Sequence, residues 1–233
     1  MREVPGYEAT TGRGRLWWPS AAGLMVFVGG ATVAGAVNPG YSHRRDFLSA
    51  LAGLGAESRW IGVLALTGLA VFHLGAALWT TARARAAFRG VAVFLFVAGL
   101  AGLVVAASPI TCARGAARCA GPEGGPAGWT DTVHSVGVVV YEVALVGAML
   151  TLAWVLWRGA RRWALALGSV AFAVASGWTF VAIGPPDHGA WQRVWLAVNI
   201  TWVLLVLVTN VRPVSRRRDT RPTLGEESSA TRP

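Results

Sequence analysis

The chain has 233 residues, of which 54% are hydrophobic and only 14% are charged, and its mean hydropathy is +0.50. Soluble domains carry about 25% charged residues, so this composition excludes an ordinary soluble domain and indicates a membrane protein. The formal net charge is +10, but every basic residue is an arginine, and the arginines lie at the ends of apolar runs. That placement argues against a nucleic-acid partner and is typical of topology signals in membrane proteins.

Six apolar runs are each long enough to cross a bilayer, which takes about 20 helical residues. The first run also resembles a signal peptide, with a cleavage site at 34–36, but its length favours an uncleaved helix. The runs predict helices at 16–37, 60–81, 90–108, 131–157, 163–184 and 190–211.

The predicted fold class is therefore all-α, a bundle of six transmembrane helices that occupies residues 16–211. A tail at 1–15 precedes it, and a polar tail at 212–233 follows and is predicted to be disordered. A short interfacial helix is expected in the first loop, because Phe47, Leu48, Leu51 and Leu54 recur at helical spacing.

The arginines predict the orientation of the chain. The two tails and the loops at 83–89 and 158–162 hold 15 of the 21 arginines, and the other three loops hold six. The excess of arginine marks the cytoplasmic side. We therefore expect a plasma-membrane protein with both termini in the cytoplasm.

The second outer loop, 109–130, contains both cysteines of the chain, Cys112 and Cys119. Outside the cytoplasm a local disulfide between them is expected. The pair has none of the further cysteines and histidines that a zinc finger requires.

The fourth run has an acid near its middle. Glu142 lies about 16 Å along the helix from Asp131, close to the bilayer midplane. A charge there costs about 2.5–3.5 kcal/mol on insertion scales, so such residues face protein or a watery cavity. Glu142 is a candidate proton donor, with His134 and Tyr141 sharing a face of the same helix. The alternative is an acid that only joins helices through hydrogen bonds.

Polar residues collect on the predicted outer side, where three loops and the adjoining helix ends meet. Gln192 and Asn199 are seven residues apart and give helix six a polar stripe. We expect an outward-facing pocket with Glu142 at its floor. The alternative is that these residues are polar only because the outer loops contact water. The outer set is His43, Asp46, Asp131, His134, Asp187, His188, Gln192 and Arg193.

Two further interpretations concern the histidines. His73 stands alone within helix two and is interpreted as a core histidine whose hydrogen bonds are satisfied. A catalytic zinc site is an alternative, since His43, His134 and His188 with Asp46 or Asp187 supply suitable ligand types. No HExxH pair supports that alternative, and no cofactor is predicted. A Walker-type phosphate loop and a GxSxG serine motif are missing from the sequence.

Several short motifs occur along the chain: Pro39-Gly40-Tyr41-Ser42-His43, Asp46-Phe47-Leu48-Ser49-Ala50-Leu51, Ser108-Pro109, His134 and Gly189-Ala190-Trp191-Gln192-Arg193. Together they resemble the domain-of-unknown-function 998 family over residues 16–211. That resemblance implies a small multi-pass membrane protein with an outer polar cluster, and it implies no reaction. Tyr141-Glu142 departs from the apolar helix four expected in that family.

One functional hypothesis is an intramembrane enzyme that protonates or cyclises an isoprenoid-type substrate. Glu142, with Asp46, would donate the proton, and His134 or Tyr141 would tune it. The aromatic rings of Trp178, Trp202 and Tyr141 would stabilise a cation. In these components the hypothesis resembles small membrane-bound terpene cyclases, by analogy only. The predicted substrate-binding residues are Trp178, Trp202, Asn199, Gln192 and Arg193.

Three alternatives stay open. The first is a non-catalytic lipid-binding or accessory protein, whose polar residues only join helices. The second is a proton-coupled carrier that uses Glu142, and the third is a metal-dependent lipid hydrolase. In each case the expected partner is a membrane lipid or a lipophilic small molecule.

Overall fold

The computed structural model describes residues 17–83, 88–111, 128–158, 162–184 and 186–209. Every regular element in these ranges is helical, and six α-helices are long and apolar enough to cross a bilayer. This confirms the predicted all-α, six-helix, multi-pass membrane fold. The helices are α1 Trp18–Val37, α2 Arg59–Arg83, α3 Arg89–Ala107, α4 Trp129–Arg158, α5 Trp163–Val181 and α6 His188–Thr209.

The observed helix ends lie within three residues of the predicted ones. The largest difference is at α5, which ends at Val181 rather than at residue 184. There the Ile183 N–H donates to the Phe180 carbonyl at 3.2 Å, a tighter turn that closes the helix before Gly184. The tails at 1–15 and 212–233 and the Cys112–Cys119 pair lie outside the described residues.

Consecutive helices pack side by side along the chain, from α1 against α2 to α5 against α6. The α1–α2 contact is the tightest, because glycines let the backbones meet. A Cβ on Gly23 would lie 2.5 Å from the Phe72 nitrogen and 2.6 Å from the Gly68 carbonyl oxygen. Close approach through small residues is how helices associate where lipid removes the hydrophobic driving force.

Burial identifies α2 as the central helix and α1 and α5 as peripheral ones. In the most apolar stretch of α2, 61% of the residues are buried, against 28% in α1 and in α5. The core is therefore built by α2, α3, α4 and α6, and the outer helices present much of their surface to lipid.

The first loop, residues 38–58, folds over one end of the bundle, which we call the loop end. Its predicted short helix is present as a five-residue 3-10 helix, Leu48–Ala52, and all five residues are buried against the protein. Leu54 N–H donates to the Ile110 carbonyl at 3.0 Å, which joins this loop to the segment after α3. The loop is thus part of the packed structure.

Candidate functional site

Arg193, near the start of α6, fastens the first loop to the bundle. Its Nη1 donates to the carbonyls of His43 at 2.6 Å and Gly189 at 2.7 Å. Its Nη2 donates to the hydroxyl of Tyr41. Burial raises the pKa of Tyr41, an effect that the neighbouring Arg193 opposes. Arg193 is therefore a structural clamp in this structure, with its donors used by the protein itself.

Two further contacts join the same segments. Gln192 Oε1 accepts a hydrogen bond from the Leu48 N–H at 2.5 Å. Arg44 Nε and Asp187 Oδ1 form an exposed ion pair at 2.6 Å. The hydrogen bond from Arg44 lowers the pKa of Asp187. The polar residues that we expected to converge at this end do meet, largely through bonds to one another and to backbone.

At the start of α4, Asp131 and His134 hold the segments on either side of the second loop. Asp131 accepts from the backbone N–H groups of Thr111 at 2.7 Å and Gly128 at 2.9 Å. His134 Nδ1 lies 2.8 Å from the Ser108 carbonyl. Because a carbonyl only accepts, Nδ1 carries the hydrogen there.

The candidate metal ligands do not assemble. In the ranges that the structure describes, no three His, Cys, Asp or Glu side chains are grouped to hold a metal ion. His188 stacks on Phe47 with ring centroids 4.8 Å apart, Asp187 pairs with Arg44, and Asp46 Oδ2 accepts from the Ser42 N–H at 2.6 Å. The metal-site alternative has no support from these residues.

Glu142 is buried between α4, α5 and α6 and faces polar partners. The Trp195 Nε1–H donates to its Oε2 at 2.8 Å, and Ser176 Oγ lies 2.9 and 3.0 Å from its two oxygens. Ser176 Oγ is also 3.0 Å from Asn199 Oδ1. The carboxyl therefore faces protein and not lipid, as expected for an acid at this depth.

The hydrogens in this network can be counted. Asn199 Nδ2 donates to the Trp195 carbonyl at 3.0 Å, which fixes its Oδ1 as the atom facing Ser176. The single hydroxyl hydrogen of Ser176 cannot serve three oxygens. Ser176 Oγ can therefore donate either to Glu142 or to Asn199 Oδ1, and not to both at once.

Tyr141, the neighbour of Glu142, turns to α2 and meets His73. The Tyr141 hydroxyl lies 3.2 Å from His73 Nε2, and His73 Nδ1 lies 2.8 Å from the Leu69 carbonyl. Both side chains are buried. His73 is therefore a satisfied core histidine, as interpreted from the sequence, but it does not stand alone.

A cleft lies between α2, α3, α4 and α6, with residues of the first loop at its outer end and Tyr141 at its inner end. Its cavity volume is about 40 Å³, so the cleft is narrow. Usual ligand pockets have roughly 300–1,000 Å³, so side chains would have to move for a long chain to enter. Most of its lining is apolar: Leu48, Ser49, Leu66, Leu69, Gly102, Val105, His134, Val138, Tyr141, Gln192, Trp195 and Leu196.

The predicted site residues do not assemble in one place. Of those predicted, His134, Tyr141 and Gln192 line the cleft, whereas Glu142 and Asn199 lie behind Trp195. Three more lie elsewhere: Arg193 and Asp46 in the loop contacts, and Trp202 against Ser169, to whose Oγ it donates at 3.0 Å. Trp178 is 71% exposed on the outer surface of α5.

Sequence reasoning missed Trp195, Ser176 and the contact of His73 with Tyr141. Trp195 had a signal, since it follows Gln192 by three residues and precedes Asn199 by four, on the same face of α6. Ser176 and His73 had none, because a sequence does not show how one helix is rotated against another.

Comparison with known proteins places the chain in one family. The family model described as protein of unknown function (DUF998) matches residues 21–209, from within α1 to the end of α6. No curated protein and no solved structure matches the chain.

Proposed function

The chain belongs to the family described as protein of unknown function (DUF998), and we propose that it binds a lipophilic small molecule, or the apolar chain of a membrane lipid, in the cleft. The cleft is the observation that carries this proposal. Its apolar lining lies within the membrane-spanning helices and ends near polar groups at the loop end. Such a combination, an apolar pocket with a few polar groups, is typical of small-molecule sites.

The cleft is narrow, so an occupant has to be slender and side chains have to move to admit a long chain. Leu66 and Leu69 of α2, Val105 of α3 and Val138 of α4 provide apolar parts of its lining. Transfer of apolar surface into such a space is favourable by about 25 cal/mol per Å² buried. His134 and Gln192 are the polar side chains of the lining at the outer end of the cleft.

The test is photolabelling in phosphatidylcholine vesicles with a sixteen-carbon alkyl diazirine that carries a terminal alkyne. Val138→Phe narrows the cleft, whereas Val139→Phe adds the same ring to the exposed side of the same helix. We expect labelling of α4 and α6 peptides that excess hexadecane competes away, with a several-fold loss in Val138→Phe only. Labelling that hexadecane does not reduce, or an equal loss of labelling in both variants, would contradict the proposal.

An acid-catalysed reaction on an isoprenoid-type substrate is the second candidate. One observation favours it: the rings of Tyr141 and Trp195 both line the cleft, 5.7 Å apart, with Glu142 directly behind Trp195. Aromatic faces attract cations. Since Glu142 is not part of the cleft wall, proton transfer to a substrate would require the indole to move aside, and we rank this candidate below binding.

We also propose that the loop end faces outward from the plasma membrane and that both termini are cytoplasmic. The uneven distribution of arginine supports this orientation. With Cys112 and Cys119 replaced by serine, an impermeant maleimide should label Arg45→Cys in intact cells and Arg162→Cys only after lysis. Both positions are exposed, so the reverse labelling pattern would overturn the orientation.

A further inference from the structure

At the inner end of the cleft, His73 determines which atoms donate hydrogen bonds and which accept them. Because His73 Nδ1 lies 2.8 Å from a carbonyl, it must donate there. In the neutral ring Nε2 then has no hydrogen and can only accept. The hydrogen of the Tyr141 hydroxyl is therefore directed to His73, across 3.2 Å.

This assignment leaves the Tyr141 oxygen as an acceptor. A phenolic oxygen that donates its hydrogen still has lone pairs for an incoming donor. No other hydrogen bond to this oxygen is present among the described residues. Tyr141 lines the cleft and is only 4% exposed, so the cleft is the side from which an additional donor would approach it.

The donors near this end are already used. Trp195 lines the cleft, but its Nε1–H is bound by Glu142 at 2.8 Å. An anionic or carbonyl head group placed here would meet the Tyr141 oxygen and find no donor from Trp195. A buried polar group without a partner is unfavourable, which disfavours ionised carboxylates and ketones at this depth.

We propose that the cleft selects lipophilic molecules whose buried end carries a hydroxyl group, which donates to Tyr141 Oη. This inference rests on the proposed binding function and specifies its ligand class, a long-chain or isoprenoid alcohol. His73 is the positioning residue, because it fixes the direction of the tyrosine hydroxyl. The hydroxyl lies at the inner end, and the chain extends past Val138 toward His134.

The experiment compares three competitors against the alkyl diazirine on the wild-type protein in phosphatidylcholine vesicles. They are hexadecanol, hexadecyl methyl ether and hexadecane, at equal mole fractions in the lipid. The ether keeps the oxygen and lacks the donor. One hydrogen bond contributes about 0.5–1.5 kcal/mol, so hexadecanol should compete about two- to tenfold better than the ether.

Tyr141→Phe is the matched variant, since it removes only the hydroxyl. In it hexadecanol and the ether should compete equally. Equal competition on the wild-type protein would overturn the alcohol preference and leave the binding function standing. A preference that persists in Tyr141→Phe would likewise overturn it, because the donor would then be accepted elsewhere. If none of the three competitors displaces the probe, both this inference and the binding function fail.

Discussion

Glu142 influences the cleft through Trp195. The carboxyl accepts from the indole N–H at 2.8 Å, and the same indole forms part of the cleft wall. Removing the acid would leave a buried donor without a partner and release the indole from one rotamer. The role that this geometry supports for Glu142 is to hold an aromatic wall in place.

Replacement of Glu142 separates that role from proton donation. In Glu142→Gln the side-chain amide can donate to Ser176 and accept from Trp195, so we expect little change in thermal unfolding or in photolabelling. Glu142→Leu leaves the Trp195 donor unpaired and should cost about 1–3 kcal/mol of stability. Thermal unfolding of the purified protein in detergent measures both.

The two variants also rank the candidate functions. If Glu142→Gln folds and binds like the wild type, the positioning role stands. If it folds normally but loses binding or a measured conversion of an isoprenoid substrate, the acid itself takes part and the enzymatic candidate becomes the better one.

At this scale the sequence predicted which residue types matter better than it predicted their partners. The depth of Glu142 followed from counting along one helix, and so did the shared face of Gln192 and Asn199. Tyr141 and His73, which are in contact, are 68 positions apart in the chain and lie on different helices. Such a contact depends on helix rotation, which hydropathy does not record.

Among the elements, α1 and α2 show how helices associate here without burying much surface. Gly23 and Gly68 bring the two backbones together, and α1 otherwise presents most of its residues to lipid. Dispersion contacts between closely packed backbones then stabilise the pair.

We therefore expect Gly23→Ala to destabilise the protein, because the new methyl group would overlap the backbone at Phe72. Overpacking of this kind costs about 1–3 kcal/mol. Gly29 is the matched control in the same helix, since nothing lies within 4 Å of a Cβ there. Unfolding midpoints in detergent should fall for Gly23→Ala and stay unchanged for Gly29→Ala; equal effects would refute the packing argument.

The first loop depends on the hydrogen bonds that Arg193 donates to it. A lysine cannot reproduce the planar set of donors that reaches His43, Gly189 and Tyr41. In Arg193→Lys, amide hydrogen exchange in residues 43–50 should become about tenfold faster, which corresponds to losing about 1.4 kcal/mol of charged hydrogen bonds. Arg45→Lys, an exposed neighbour, is the control. Unchanged exchange in Arg193→Lys would mean that the 3-10 helix alone holds the loop.

The helices themselves were predictable because length and hydropathy are local properties. Their packing was not predictable. Lipid is as apolar as leucine, so hydropathy does not distinguish a buried helix face from one that faces lipid. The peripheral position of α5 explains why Trp178, predicted to contact substrate, is exposed instead.

The whole molecule is a six-helix membrane bundle with a cleft that one packed loop covers. The loop end is held together by contacts among the first loop, the segment after α3 and the start of α6. A binding site at such a junction can take its ligand from the membrane side or through the loop end, and both routes lead to the same wall of Tyr141 and Trp195.

An experimental structure of the protein in lipid nanodiscs that contain hexadecanol tests the central claim most directly. The account predicts elongated density in the cleft between α2, α3, α4 and α6, with its inner end at Tyr141 and its outer end near His134. A cleft that holds only water or is filled by its own side chains, under those conditions, would contradict it.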